Sequence, residues 1–206
     1  MKILEVINTD KTIKQSLNNS LSYSEYRQHV QELVAQNSTT GNSKTEVLAE
    51  YTRLNDKRMK RWDKTLKVSK ENQQKIQKLN KKTTWIVLIE SWCGDAAHVI
   101  PVINKMAELN NNINLRLVLR DKNPDLMNAF LTNGGQAIPK LISIDDVSGE
   151  VNNTYGPRPS VATQMVADYK AEYGTLTPEF KQDLQVWYNK DKGQSTVEDL
   201  VELLYV

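Results

Sequence analysis

The first third of the chain carries apolar residues at helical spacing and contains no strand-like run. After an N-cap at Ser22 or Ser24, apolar positions recur every three or four residues up to about residue 37, which predicts an amphipathic helix. A break that contains Gly41 separates this helix from a second one. The second helix carries an apolar stripe of the kind that packs a helix onto a core, formed by Val47, Leu48, Tyr51 and Leu54.

From residue 81 the pattern changes to short strands that alternate with helices. The segment TTWIVLIESW, residues 83–92, predicts a buried strand, and a helical pattern follows it. INLRLVLRD predicts a second strand, and a further helix opens at Pro124. Two more strands surround a turn at residues 145–149. Two or three helices end the chain, within residues 160–173, 177–188 and 196–204.

This order of elements predicts an α/β fold. A strand, helix and strand in succession imply parallel pairing through a right-handed crossover, and the hairpin that follows adds antiparallel strands to the same sheet. A length of 206 residues with 39% apolar residues suits one domain with an appendage, or two small domains, and excludes a chain that is disordered throughout.

Charge and hydropathy exclude several classes of protein. The formal net charge is +2, which is far from that of a dedicated nucleic-acid binder. The longest apolar run, Trp85 to Ile89, is much shorter than the about 20 residues that span a bilayer, so no membrane partner is expected. The N-terminal MKILEVINTD is too short and too charged for a secretory signal. These features predict a cytoplasmic protein.

One local charge imbalance stands out. From Lys57 to Lys82 there are eleven lysines and arginines against two acids. Arg58, Arg61 and Trp62 superficially mix charge with an aromatic ring, as nucleic-acid binders do. A solvated helix face is the favoured interpretation, because the acids of the C-terminal helices offer a counterweight, and nucleic acid is not expected as a partner.

Cysteine and histidine are scarce. The single cysteine, Cys93, excludes an internal disulfide and a cysteine-based zinc site. His29 lies on the predicted amphipathic helix and His98 lies five residues after Cys93, where it is expected to be a surface or helix-packing residue. No metal site and no cofactor are therefore predicted.

The segment Trp92-Cys93-Gly94-Asp95-Ala96 carries the candidate chemistry, because it lies where a buried strand gives way to a helix. Unpaired backbone N–H groups and the positive dipole end of the helix favour a thiolate there, and a thiolate is a nucleophile. The alternative is a buried structural cysteine.

From this segment onward the chain resembles the thioredoxin superfamily, and more narrowly bacterial thioredoxin-like proteins, over residues 82–155. The matches are Cys93-Gly94 after the strand, Pro101 at the place of the helix-kinking proline, Arg120 to Pro124, and Ala137 to Leu141. The resemblance implies a central mixed sheet flanked by helices. It places a thioredoxin-like core at residues 81–156, with an N-terminal helical extension at 1–80 and C-terminal helices at 157–206.

Three positions depart from the family pattern. Ala96 replaces the resolving cysteine of CxxC, and Val87 stands where thioredoxins bury an acid that activates that cysteine. Asp95 replaces the usual proline, and its charge opposes the helix dipole. Coulomb's law gives a repulsion of the same size as the dipole's contribution, about 1 to 3 kcal/mol, so the sign of the Cys93 pKa shift stays open.

The resemblance also implies a substrate groove. The Ile138–Pro139 peptide bond is expected to be cis and to lie opposite Cys93, where the backbone beside the proline holds an extended segment. Arg158 follows the last strand, from where it could approach this site, but a plain connector is the favoured interpretation of its turn. The residues expected to contact substrate are Trp92, Gly94, Asp95, Ile138 and Pro139.

Two functions follow from these features. The first is single-cysteine thiol–disulfide exchange through Cys93, with protein or low-molecular-weight thiols and disulfides as partners and an external thiol to release the mixed disulfide. The second is a redox-silent thioredoxin-fold module that binds peptides or proteins, in which Ala96 marks the loss of catalysis. The sequence leaves the oligomeric state open.

Overall fold

The computed structural model describes residues 11–204. The segment MKILEVINTD, for which the sequence predicts no secretory signal, lies outside the described residues. The elements before the sheet are α1 (residues 11–18), α2 (Tyr23–Ala35), α3 (Glu46–Thr65) and α4 (Lys70–Gln77).

Ser22 caps α2 through a capping box, and Thr45 caps α3.

Four strands and five further helices follow these four helices. The helix that begins at Pro124 ends at Ala129, before the glycine pair that the sequence suggested as its end. The elements are β1 (Thr83–Ile89), α5 (Gly94–Glu108), β2 (Ile113–Leu119), α6 (Pro124–Ala129), β3 (Lys140–Asp145), β4 (Val151–Tyr155), α7 (Ser160–Tyr173), α8 (Pro178–Asp191) and α9 (Gln194–Leu203).

The strands form one mixed sheet in the order β2-β1-β3-β4. β1 pairs parallel with β2 and antiparallel with β3, so Val87 lies between Leu117 and Leu141. Every residue of β1 is buried, as expected for a central strand that is covered on both faces. The parallel pair with its crossover helix and the antiparallel hairpin confirm the predicted α/β fold of the thioredoxin type.

Helix α5 places the candidate site at the carboxyl end of β1. Its residues from Ala96 to Ile103 are almost all buried, and Pro101 lies inside it. α5 packs against α3 on one side and α9 on another. Helix α5 is consequently packed between helices that precede and follow the sheet in sequence.

Helix α3 is turned differently from what its apolar pattern suggests. The residues that it buries are Ala49, Thr52, Asn55, Asp56, Met59 and Trp62. The apolar residues Val47, Tyr51 and Leu54 are 63%, 50% and 42% exposed. The first half of α3 therefore directs polar side chains inward and large apolar side chains outward.

A buried hydrogen-bond cluster around Ser91 explains this orientation. Ser91 N–H donates to Thr40 Oγ1 at 2.7 Å, and Thr40 N–H donates to Ser91 Oγ at 3.0 Å. Thr52 Oγ1 lies 2.8 Å from the same hydroxyl, and the Asn55 side-chain amide donates to the Ser91 carbonyl at 2.8 Å. Because buried polar groups require partners, the cluster fixes which face of α3 turns toward the loop between β1 and α5.

An ion pair holds the next turn of α3. Arg27 Nη1 of α2 lies 2.9 Å from Asp56 Oδ1, and both side chains are buried. Lys60 approaches the second oxygen of Asp56 at 2.9 Å.

None of the helices among residues 11–204 is both long and apolar enough to cross a membrane.

Replacing Ser91 with alanine tests the contribution of the cluster. Ser91→Ala leaves the buried Thr40 N–H without its acceptor, which we expect to lower the free energy of unfolding by about 1–3 kcal/mol. Urea unfolding measures the change. Ser148→Ala, in the exposed β3–β4 turn, is the control and should stay within about 0.5 kcal/mol of the wild type. Equal effects of the two substitutions would contradict the role assigned to the cluster.

Candidate functional site

The Cys93 thiol lies at the N-terminus of α5, where Cys93 is the N-cap residue. Its Sγ atom donates to the Ile138 carbonyl oxygen at 3.3 Å. The Ile138–Pro139 peptide bond is cis. The structure thus brings together Cys93 and the proline loop, which are 45 residues apart in the sequence.

These residues are buried rather than exposed to solvent. Cys93 is 9% exposed and Ile138 is 6% exposed, and Pro139 is buried as well. Trp92 and Gly94 keep partial exposure at the surface. The residues that the resemblance assigns to a substrate groove are neighbours, but their central part is covered.

The environment of Cys93 favours the protonated thiol. Burial, and after it the Asp95 carboxylate, raise the pKa of Cys93 to about 12. The backbone N–H groups of Ala96 and Asp95 lower this pKa, and Arg158 does so more weakly. The helix start therefore acts on the sulfur as expected, but burial outweighs it.

Asp95 is itself tied into a buried network. Its Oδ2 lies 2.7 Å from Arg158 Nη2, and the Tyr188 hydroxyl donates to Oδ1 at 3.1 Å. Burial raises the pKa of the Asp95 carboxyl, whereas Arg158 is the chief influence that lowers it. The ion pair and the hydroxyl donor satisfy this carboxylate, so we assign it a negative charge beside the thiol.

The loop after β4 brings Arg158 to Asp95. The Gly156–Pro157 bond is cis, which the sequence analysis did not anticipate, and Gly156 has φ +103°. A Cβ atom at Gly156 would lie 2.2 Å from the Pro139 carbonyl oxygen. Only glycine fits where these two proline loops meet, and Arg158 thereby approaches the site instead of serving as a mere connector.

Helix α8 of the C-terminal addition covers the first turn of α5. His98 is buried, stacks on Tyr188 at 4.3 Å between ring centroids, and hydrogen-bonds Gln185 at 2.8 Å. Trp62 Nε1 of α3 donates to His98 Nδ1 at 3.0 Å. Burial lowers the pKa of His98 to about 4, so it is a neutral helix-packing residue at neutral pH.

A buried acid, Glu90, lies three residues before Cys93, and the sequence analysis missed it. One carboxylate oxygen accepts from Asp121 N–H at 2.9 Å, while the other has no hydrogen-bond partner within residues 11–204. Burial raises the pKa of Glu90. The position that the family uses for its buried acid, Val87, is fully buried inside β1. A glutamate directly after an apolar strand was the available signal.

Trp92, the residue before Cys93, is partly exposed at the edge of the buried thiol site. The Arg120 guanidinium lies over the Trp92 ring, 5.0 Å from its centroid, a cation–π arrangement. A Cβ atom at Gly41 would lie 3.1 Å from Trp92 Nε1, so the loop of the N-terminal extension passes close to the indole.

Among residues 11–204, no three His, Cys, Asp or Glu side chains converge in a way that could hold a metal ion.

Comparison with known proteins identifies relatives of this fold. A family model described as thioredoxin matches residues 41–170. A crystal structure of a protein of unknown function from Pseudomonas aeruginosa is similar, with a TM-score of 0.58 and 15% identity over 90% of this chain and 98% of that one. An HIV epitope scaffold is similar with a TM-score of 0.57 and 15% identity, over 93% and 96% of the two chains. No curated protein matches significantly. At such identities the likeness to solved structures concerns the fold.

Removing the Asp95 charge should make the thiol more acidic. In Asp95→Asn the carboxylate no longer opposes the thiolate, and Arg158 is released from its ion pair. We expect the Cys93 pKa to fall by at least about one unit, which raises the thiolate population at pH 8 about tenfold. Because a less basic thiolate is a weaker nucleophile, the alkylation rate by iodoacetamide should rise at least about threefold. The matched control is Asp146→Asn at the opposite end of β1, where the rate should not change. An unchanged or lower rate in Asp95→Asn would contradict the electrostatic assignment.

Gly156 provides a second test of the enclosed site. We expect Gly156→Ala to lower the free energy of unfolding by at least about 2 kcal/mol more than Gly149→Ala. Gly149 has φ +77° and open space around its Cβ position, so the control carries a backbone cost without the collision at Pro139. Denaturant unfolding compares the two variants. Similar losses would show that the loops do not approach as described.

Proposed function

The chain belongs to the thioredoxin family, and we propose that it acts there as a redox-silent module that binds a protein partner. The observation that carries the proposal is the state of Cys93: a buried thiol that donates to Ile138 and lies beside the Asp95 carboxylate. Thiol–disulfide exchange requires the thiolate, which this environment disfavours.

The expected loss of reactivity can be given a magnitude. Compared with an ordinary thiol of pKa 8.5, a thiol of pKa 12 has a thiolate population at pH 7 that is about 3000-fold smaller. Part of this loss is offset, because a more basic thiolate is a better nucleophile, with a Brønsted coefficient of about 0.45. The net expectation is exchange about a hundredfold slower than that of a free cysteine, before steric enclosure is counted.

The chain also lacks the residues with which the family carries out the second half of its reaction, the release of the mixed disulfide. Ala96 at the resolving position is buried in the core, and no second cysteine exists in the chain. Val87 replaces the acid that would activate a resolving thiol. A mixed disulfide on Cys93 could be released only by an external thiol, which supports a binding role over turnover.

Binding is supported by the groups that stay accessible near the enclosed thiol. Trp92 and Gly94 are partly exposed, and Arg120 lies over the Trp92 ring. An aromatic ring with a neighbouring guanidinium is the type of group that anchors protein interfaces. In this proposal the thioredoxin fold supplies a rigid surface, while Cys93 contributes packing.

Single-cysteine exchange is the second candidate, favoured by the backbone N–H groups of Asp95 and Ala96 that lower the Cys93 pKa. In it, the Cys93 thiolate would attack a protein or small-molecule disulfide, form a mixed disulfide and release one thiol. An external thiol would then regenerate Cys93 and leave as the new disulfide. This route requires a thiolate that becomes accessible in the native protein.

Reaction with glutathione disulfide separates the two candidates. We expect the native protein to acquire the glutathione adduct on Cys93 about a hundredfold more slowly than a control variant with an exposed thiol. That control is Cys93→Ser combined with Val147→Cys, because Val147 is 91% exposed in the β3–β4 turn. Intact-protein mass spectrometry at pH 7.5 measures both rates. A Cys93 rate equal to or above that of the control would overturn the redox-silent proposal in favour of exchange.

A further inference from the structure

One face of α3 is apolar in its first half and cationic in its second half. Val47, Tyr51 and Leu54 are spaced by four and three residues, and all three side chains are exposed to solvent. With 3.6 residues per turn, Arg58 and Arg61 continue the same face. We call these five residues the α3 stripe. Its apolar half is the pattern that a helix normally turns toward a core or a partner.

The cationic half of the stripe leads into a cleft of about 600 Å³. The cleft lies between the C-terminal half of α3, the end of α8 and the start of α9. It is lined by Arg61, Trp62, Lys64, Thr65, Lys67, Asn189, Lys192 and Gln194, which we call the basic cleft. No carboxylate lines it among the described residues.

The cations of the basic cleft are available to a ligand. Within residues 11–204, no carboxylate forms an ion pair with Lys64, Lys67 or Lys192, and Arg61 is bound to the neutral side chain of Asn189. Two acids of the C-terminal helices, which the sequence suggested as a counterweight to this charge, accept hydrogen bonds from neutral serines: Asp191 accepts from Ser195, and Asp199 accepts from Ser160. Four positive side chains therefore line one concave surface in which no carboxylate of the described residues takes part.

The stripe also borders the thiol site. Arg58 Nη1 lies 3.7 Å from the position that a Cβ atom of Gly94 would occupy, directly after Cys93. The Arg58 guanidinium donates to Asn55 Oδ1 at 2.8 Å and has no carboxylate partner within 4 Å in the described part of the chain. A segment lying along α3 would therefore pass beside Gly94, which is partly exposed at the start of α5.

We propose that the α3 stripe and the basic cleft together bind a segment of a partner protein in which large apolar side chains adjoin a group of carboxylates. The inference rests on the proposed binding function and names its surface. Charge complementarity identifies the acidic half of the segment, and the exposed Val47, Tyr51 and Leu54 identify the apolar half.

The length of the stripe sets the size of the segment. From Val47 to Arg61 the helix rises about 21 Å, at 1.5 Å per residue. An extended segment covers this distance with about six or seven residues, and a helical one with about fourteen. Binding between two copies through this stripe is disfavoured, because a two-fold axis would place apolar side chains against cations or cations against cations.

Selection from a random 16-residue peptide library displayed on phage tests the proposal with the full-length protein. We expect the selected peptides to share two or three large apolar residues next to at least two acids. A synthetic, fluorescein-labelled peptide of the selected sequence is then titrated by fluorescence anisotropy. Its Kd should rise at least tenfold in Tyr51→Ser/Leu54→Ser and in Lys64→Ser/Lys67→Ser.

Matched controls remove the same chemistry elsewhere on the surface. Val147→Ser removes an exposed apolar side chain, and Lys181→Ser removes an exposed cation of α8, so neither should change the Kd. Because all the substituted side chains are exposed, each variant should keep the urea unfolding midpoint of the wild type, which is measured in parallel.

The outcomes separate this inference from the proposed function. Peptides that bind without sensitivity to the stripe and cleft variants would overturn the inference and leave a binding module with another surface. Failure to select any peptide would overturn the inference as well, and the glutathione experiment then judges the redox-silent proposal by itself. Dimerisation that Tyr51→Ser/Leu54→Ser abolishes, or tighter binding of a single-stranded oligonucleotide than of any peptide, would each replace the proposed occupant.

Discussion

The hydrogen bonds of Ser91 are the constraint on which the rest of the site depends. Ser91 follows the central strand and precedes the thiol segment, and its backbone and hydroxyl are bound to Thr40, Thr52 and Asn55 of the N-terminal extension. Satisfying these buried groups requires α3 to turn its polar face inward. The same contacts hold the loop that leads to Cys93, so the orientation of α3 and the position of the thiol are set together.

The C-terminal addition encloses the thiol from the other side. Tyr188 donates a hydrogen bond to Asp95, and Arg158 forms an ion pair with it. His98 lies between α3 and α8, and its two ring nitrogens form hydrogen bonds with Trp62 and Gln185. The thioredoxin fold of this chain thus holds a single, buried cysteine beside a charged carboxylate. The burial that raises the pKa of the thiol and the enclosure of the site have the same structural cause. Helices from both ends of the chain pack on the start of α5.

The sequence was sufficient where local pattern decides the outcome. The apolar run before Cys93 forms the central strand, and the order of strands and helices brings Cys93 next to Pro139. It was insufficient where distant residues decide: the face of α3 depends on Thr40 and Ser91, which lie outside that helix. The pKa shift of Cys93 stayed open because the effects of Asp95 and the helix dipole are similar in size, whereas burial, which is a tertiary property, proved to be the largest cause. Arg158 and Glu90 also act through contacts that no local spacing reveals.

The ionisation of the only thiol is the central quantity of this account. It can be followed directly by the ultraviolet absorbance of the thiolate near 240 nm, with Cys93→Ser subtracted to remove the tyrosine contribution. The account predicts that the native protein shows no Cys93 thiolate midpoint below about pH 10, while the urea-unfolded protein titrates near the ordinary value of about 8.5. A native midpoint near or below pH 7 would contradict the account and identify Cys93 as an activated nucleophile.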